Sequence, residues 1–126
     1  RLKIKASIDQ NIYFRSDRMR MSIILNNLFS NAIKYQDVNK NDSYISLIIH
    51  TSEKEVQISV EDNGIGIDKK HLNKIFKMFY RVSSIAPGSG LGLYIVKEAV
   101  IKLGGEIRAE SVPNEKTVFK ISIPNR

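Results

Sequence analysis

Hydrophobic and polar positions along this chain follow two periods, and the switches between them mark out its elements. LKIKASI (2–8) alternates apolar and polar residues, which predicts a half-buried strand. SYISLIIHTS (43–52) and EVQISVED (55–62) alternate in the same way across a tight turn at Glu53–Lys54, so they read as a hairpin. EIRAESV (106–112) and KTVFKISI (116–123) predict a final pair of strands. Between these stretches the period lengthens. From an N-cap at Ser16 or Asp17 up to Tyr35, the apolar residues Met21, Leu25, Leu28, Ala32 and Tyr35 recur at helical spacing. DKKHLNKIF (68–76) predicts a short helix capped by Asp68, and LGLYIVKEAVIKL (91–103) a strong one stopped by Gly104–Gly105. A short extended piece is expected at 12–15, a polar loop at 36–43, and a loop rich in Ser, Gly and Pro at 80–90. The order strand, helix, hairpin, helix, loop, helix, hairpin predicts an α+β fold: one layer of mixed sheet with helices on one face.

Composition narrows the function classes. A chain of 126 residues with 42% apolar and 26% charged residues is expected to form one soluble domain with a real core. No apolar run approaches the roughly 20 residues of a membrane span, and no signal peptide is visible. The first residue is Arg1, not Met, which reads as a piece of a longer protein. There is no cysteine, which excludes disulfides and thiol catalysis and suits the cytosol. His50 and His71 stand far apart and read as surface histidines rather than a zinc site. The net charge of +7 comes from scattered lysines not interleaved with aromatics, which argues against nucleic acid and for an anionic ligand or acidic partner.

Four stretches carry candidate chemistry. In NNLFSNAIKY (26–35), Asn27, Asn31 and Lys34 fall within roughly 60° of one another around a helix axis, at the margin of the apolar stripe. Two amide oxygens can ligate a hard cation such as Mg²⁺, and a lysine beside them can meet a phosphate; a solvated helix face is the plainer alternative. In EDNGIG (61–66), Asp62 ends a strand as an acceptor suited to an exocyclic amine, and Gly64 and Gly66 admit close backbone approach; an ordinary turn is the alternative. PGSGLGL (87–93) directly precedes a helix and can form an anion site from free N–H groups, yet it matches neither a Walker loop nor a Rossmann fingerprint. FKMFYR (76–81) places Phe76 and Phe79 toward the core or a partner, and Arg81 where it can reach a phosphate or simply add surface charge.

In combination, an NxxxNAxKY helix, DNGIG, FxxFYR and GSGLGL within one short chain closely resemble the catalytic ATP-binding domain of sensor histidine kinases. That family shares a superfamily with gyrase-type ATPases and heat-shock-90 chaperones. The resemblance covers nearly the whole chain and implies a two-layer α/β sandwich (the Bergerat ATP-binding fold), with about five mixed strands and three helices on one face. It implies that Asp62 holds the adenine amino group, with Gly64 and Gly66 letting the purine lie against the backbone. Asn31, with Asn27, would ligate Mg²⁺ on the phosphates; Lys34 would contact phosphate, with Tyr35 near the nucleotide. Residues 81–89 would be the ATP lid, begun by Arg81. Gly88, Gly90 and Gly92 would hinge it and, with Leu91, line the phosphates, while Thr117 would lie near the adenine. The implied cofactors are ATP and Mg²⁺.

The same resemblance implies transfer of the γ-phosphoryl group to a histidine on a separate dimerisation domain of the same protein, and from there to a response regulator. Neither His50 nor His71 has the context of that acceptor, which is expected to precede Arg1. The fragment is expected to be monomeric and cytoplasmic, and its parent a homodimer, either soluble or anchored in the inner membrane. Three positions depart from the pattern: Lys116 replaces the usual glycine before Thr117, Gln36 replaces a usual Thr or Ser, and the lid is short. Two rivals stand beside the kinase. A conformational ATPase would need a glutamate base where this chain has Asn27, and an amide cannot take that proton. The intact Asn31, Asp62 and GSGLGL argue against the other rival, a non-catalytic nucleotide-binding relative, which an absence of Mg·ATP binding in calorimetry would favour.

Overall fold

The computed structural model describes residues 2–9, 16–82 and 90–125. The extended piece expected at 12–15 and the loop segment 83–89, with Gly88 in it, lie outside the described residues. Among the described residues five strands form one sheet: β1 (Lys3–Asp9), β2 (Tyr44–Thr51), β3 (Glu55–Asp62), β4 (Glu106–Val112) and β5 (Lys116–Pro124). Their order is β1-β2-β3-β5-β4, with β1 parallel to β2 and every other pair antiparallel. The parallel pair needs a long crossover, which is helix α1 (Arg18–Lys34). Two further helices follow, α2 (Lys69–Leu72) and α3 (Gly92–Lys102).

Alternation along the strands decides where the core sits. Ile45 and Leu47 of β2, Val56, Ile58 and Val60 of β3, and Phe119, Ile121 and Ile123 of β5 join Ile24, Leu28 and Ala32 of α1 and Val96, Ala99 and Val100 of α3 in one buried cluster. The intervening residues, such as Ile48, Gln57 and Arg108, are exposed on the other face. The helices therefore cover one face, as the sequence predicts. On α1 the buried stripe runs through Ile24 instead of Leu25, which is only partly covered. Both lines have regular helical spacing, and the packing against the sheet selects one of them.

Two expected elements change. β1 is exposed along all seven residues instead of half-buried. Among the described residues it is an edge strand with one neighbour, while α1 packs against β3 and α3 against β4. The helix expected over 68–76 is regular only through Leu72, although Asp68 does cap it. Past Leu72 the chain continues in tight turns, with Lys74 N–H on the His71 carbonyl and Lys77 N–H on the Lys74 carbonyl. These three-residue turns bury Ile75 and set Phe76 edge-on to Phe119, ring centroids 6.2 Å apart, so one apolar spacing serves helix and turns alike. Phe79 is 64% exposed and does not enter the core.

The helix ends match their sequence signals. Asp17 caps α1 by accepting from Arg20 N–H at 3.1 Å. At the end of α3, Gly104 N–H reaches the Ile101 carbonyl and Gly105 N–H the Val100 carbonyl, both at 2.9 Å, and Gly104 takes φ +77°. This is a Schellman closure, which glycine supports without a Cβ penalty. Phe119 of β5 is fully buried in the core cluster with residues of α1 and α3. Phe119→Ala is expected to cost about 4 kcal/mol, read as a lower urea midpoint with an unchanged denaturant slope. A shift under about 1 kcal/mol would contradict its place in the core. Among the described residues no helix is long and apolar enough to cross a membrane.

Candidate functional site

One face of α1, the ends of β3 and β5, the turn after β3 and the start of α3 enclose a cavity of about 370 Å³. Its lining includes Asn27, Asn31, Lys34, Tyr35, Asp62, Gly66, Arg81, Gly90, Leu91, Gly92 and Thr117. These residues are spread over the chain and share one cavity because α1 crosses over the sheet while β3 and β5 pair. Gly64 is buried but does not line the cavity. Its Cβ position would lie 2.3 Å from the Tyr35 carbonyl, so glycine there lets the turn pack on the end of α1.

At one end stands Asp62. Cross-strand pairing puts it opposite Thr117, and both are nearly fully buried. Its carboxylate accepts the Gly64 N–H at 2.9 Å. Burial pushes its pKa up to about 6; the Gly64 N–H opposes this, neighbouring Glu61 adds to it and the Lys40 charge opposes it. Gly66 has φ +74° and a Cβ position 2.5 Å from the Val112 carbonyl, so only glycine fits. The turn is stitched on both sides, Ile65 N–H to the Tyr35 carbonyl and Asn114 N–H to the Ile65 carbonyl. Ser111 Oγ accepts Ile67 N–H at 2.7 Å and lies 3.0 Å from Thr117 Oγ1. Lys116, where the resemblance suggests glycine, begins β5, and the left-handed residue of that hairpin turn is Asn114 at φ +65°. The lysine thus asks nothing of the backbone that only glycine could supply.

The rest of the polar lining carries positive charge and amides. Lys34 ends α1, Arg81 follows the turns after α2, and the N-cap of α3 is Leu91, whose side chain cannot cap it. Asn27 donates its amide nitrogen to the Ile23 carbonyl at 2.8 Å, which leaves its oxygen as the group beside Gly92, 3.4 Å from that residue's Cβ position. Gly90 takes φ +78°, and its carbonyl accepts Phe79 N–H at 2.9 Å. That bond ties together the two ends of the intervening loop.

Among the described residues no cluster of three or more His, Cys, Asp or Glu could hold a metal alone. The available donors are amide oxygens, which suits Mg²⁺ held by few protein ligands together with phosphates and water.

Sequence reasoning passed over the apolar walls, Ile65, Ile67, Ile75, Leu93 and Ile95, and the aromatic Tyr80. These residues have no role in the sequence reading, because an apolar residue at the margin of a core has no local signal that marks it as a cavity wall. His71, read from sequence as a surface residue, is half-buried and hydrogen-bonded through Nδ1 to the Tyr80 hydroxyl. His50 is the exposed one, 2.9 Å from Asp9 across the edge strand.

A cavity with apolar walls, a buried carboxylate acceptor, two amides and two cations in its lining can bind a purine nucleotide. Comparison with known proteins agrees in kind. The chain is 37% identical over 120 residues to the sensor histidine kinase WalK of Bacillus subtilis, covering 92% of this chain and 20% of that protein. It is 38% identical over 113 residues to the sensor protein RprX of Bacteroides fragilis, covering 86% of this chain and 22% of that one. The chain therefore spans about a fifth of the length of these relatives. The solved catalytic domain of histidine kinase ThkA superposes with a TM-score of 0.82 at 28% identity, over 98% of this chain and 80% of that one. Residues 16–126 match the profile of the family described as histidine kinase-, DNA gyrase B-, and HSP90-like ATPase, and the chain belongs to that family as an ATP-binding domain of the histidine-kinase kind.

Proposed function

We propose that this cavity binds Mg·ATP and that the chain is the catalytic domain of a sensor histidine kinase, delivering the γ-phosphoryl group to a histidine on a separate dimerisation domain. The supporting observation is that one cavity is lined by Asp62 and Thr117 together with Asn27, Asn31 and Lys34. Asp62 accepts the adenine amino group, and the isoleucines wall the purine. Lys34, Arg81 and the N-terminus of α3 take the phosphates. Asn31 and Asn27 hold Mg²⁺, which would neutralise phosphate charge. Phosphoryl transfer needs chiefly positioning and charge stabilisation, and these residues supply both. The acceptor histidine and the downstream response regulator belong to other segments or partners.

Asn27 separates this reading from a water-directed ATPase. Its amide nitrogen is committed to the Ile23 carbonyl and its oxygen cannot serve as a base, so the site has no general base at that position.

Calorimetry of Mg·ATP across pH tests the reading. Asp62 must be ionised to accept from adenine, and its pKa is about 6. Affinity is expected to be flat from about pH 7 to 8 and to fall toward about tenfold per unit below about pH 6, as binding becomes coupled to proton release. Asp62→Asn should lack this step, which separates it from titration of the phosphate itself. No binding at pH 7.5 would overturn the proposal, and a pH profile shared by the variant would overturn the role of Asp62.

A further inference from the structure

The loop after α1 contributes a residue that the cavity lining does not include. Asp37 shapes this loop: its carboxylate accepts Asn39 N–H at 3.0 Å and its carbonyl accepts Lys40 N–H at 3.1 Å. The turn directs Lys40 across to the far side of the Asp62 turn. There its Nζ donates to the Asn63 carbonyl at 2.8 Å, to the Glu115 carbonyl at 3.2 Å and, more weakly, to the Gly64 carbonyl at 3.5 Å. An ammonium has three N–H donors, and three backbone carbonyls from two separate turns take them. The Asn63 side chain reinforces the join, accepting Tyr44 N–H at 2.8 Å and donating to the Asp42 carbonyl at 3.1 Å.

We propose that Lys40 is a positioning residue for the base end of the cavity: it clamps the Asp62 turn to the β4–β5 turn and supplies the positive charge behind the Asp62 carboxylate. This rests on the nucleotide reading above. The carbonyls it gathers flank Gly64, whose N–H is bonded to Asp62, so a shift of the clamp is passed directly to the adenine acceptor. The charges that bear on Asp62 are few. Glu61 beside it on β3 disfavours its ionised form and Lys40 favours it. Tyr44 of β2 is bonded to Glu61 at 2.6 Å, with its hydroxyl pushed up to about 12 by that bond, and Asp42 lies on the same side. Lys34 at the end of α1 shares the cavity wall with Asp62. Lys40 is thus the cation that joins geometry and charge at this end.

The test compares the unaltered chain with Lys40→Met and Lys40→Arg, measuring binding of adenosine, ADP and Mg·ATP between pH 5 and 8. Lys40→Met is expected to weaken all three ligands alike, by about tenfold, because they share the base. Its acid fall-off should also begin at higher pH than in the unaltered chain. Lys40→Arg keeps the charge and the donors and should restore most of both effects. A merely structural lysine would lower the melting temperature without moving the acid fall-off, and that result overturns the inference. So does unchanged adenosine affinity in Lys40→Met while the unaltered chain binds. No binding by the unaltered chain overturns the nucleotide reading itself, and this inference with it.

Discussion

Asn31→Ala is expected to reduce Mg²⁺-dependent phosphoryl transfer to an added dimerisation domain by at least about 100-fold, while adenosine affinity changes by less than about threefold. Asn31 sits half-buried on the cavity face of α1, between fully buried Leu28 and Ala32. Alanine is the better helix former and has no polar group to satisfy there, so the fold should be kept or slightly stabilised. The loss should therefore fall on the phosphate end alone. The base end, built on β3 and β5, is held by strand pairing and backbone bonds that do not involve the Asn31 side chain. Transfer rates with and without a chelator, set beside adenosine calorimetry, separate the two ends. Full transfer by the variant would remove Asn31 from the metal site, and an equal loss of adenosine binding would show a general defect of the cavity.

The contrast between the two ends also explains what could be read from the sequence. The sheet, α1 and α3 were legible because each has a sustained period and a chemical stop: Asp17 before α1, and Gly104–Gly105 after α3. The length of α2 was not legible, because Ile75 and Phe76 keep helical spacing while lying on three-residue turns. β1 alternates correctly, yet alternation records which residues share a face and not whether anything covers that face. The polar lining of the cavity was legible residue by residue from motifs. Its apolar walls were not, since Ile65 and Ile67 lie in a turn with no periodic pattern and Leu93 lies on a helix whose apolar residues also build the core. Lys40 had no local signal at all: a lysine in a polar loop becomes a clamp only when strands distant in sequence bring Asn63 and Glu115 to it. Gly64 shows the converse case, in which a motif residue matters through the close approach of the Tyr35 carbonyl and not through the cavity surface.

Asp62→Asn is expected to weaken Mg·ATP and adenosine binding together by roughly 30-fold or more, about 2 kcal/mol for a lost hydrogen bond to a charged acceptor. The amide can still accept the Gly64 N–H through its oxygen, as the carboxylate does at 2.9 Å. What it then turns toward the ligand is an NH₂ group, a donor facing the donor of adenine. Folding should respond in the opposite direction. The Asp62 pKa is raised from 3.8 to about 6 in the folded chain, so the stability it contributes is present below about pH 4 and is lost as pH rises through about 6. At pH 7.5 the unliganded fold therefore carries the cost of a buried charge, and a neutral amide removes that cost. The variant's melting temperature at pH 7.5 should match or exceed that of the unaltered chain, and the difference should shrink as pH is lowered toward 4. Loss of affinity with a gain in stability cannot come from damage to the fold. It requires a group kept in place at a cost to the empty domain because the ligand uses it. Unchanged affinity, or a lower melting temperature at pH 7.5, would remove Asp62 from that role.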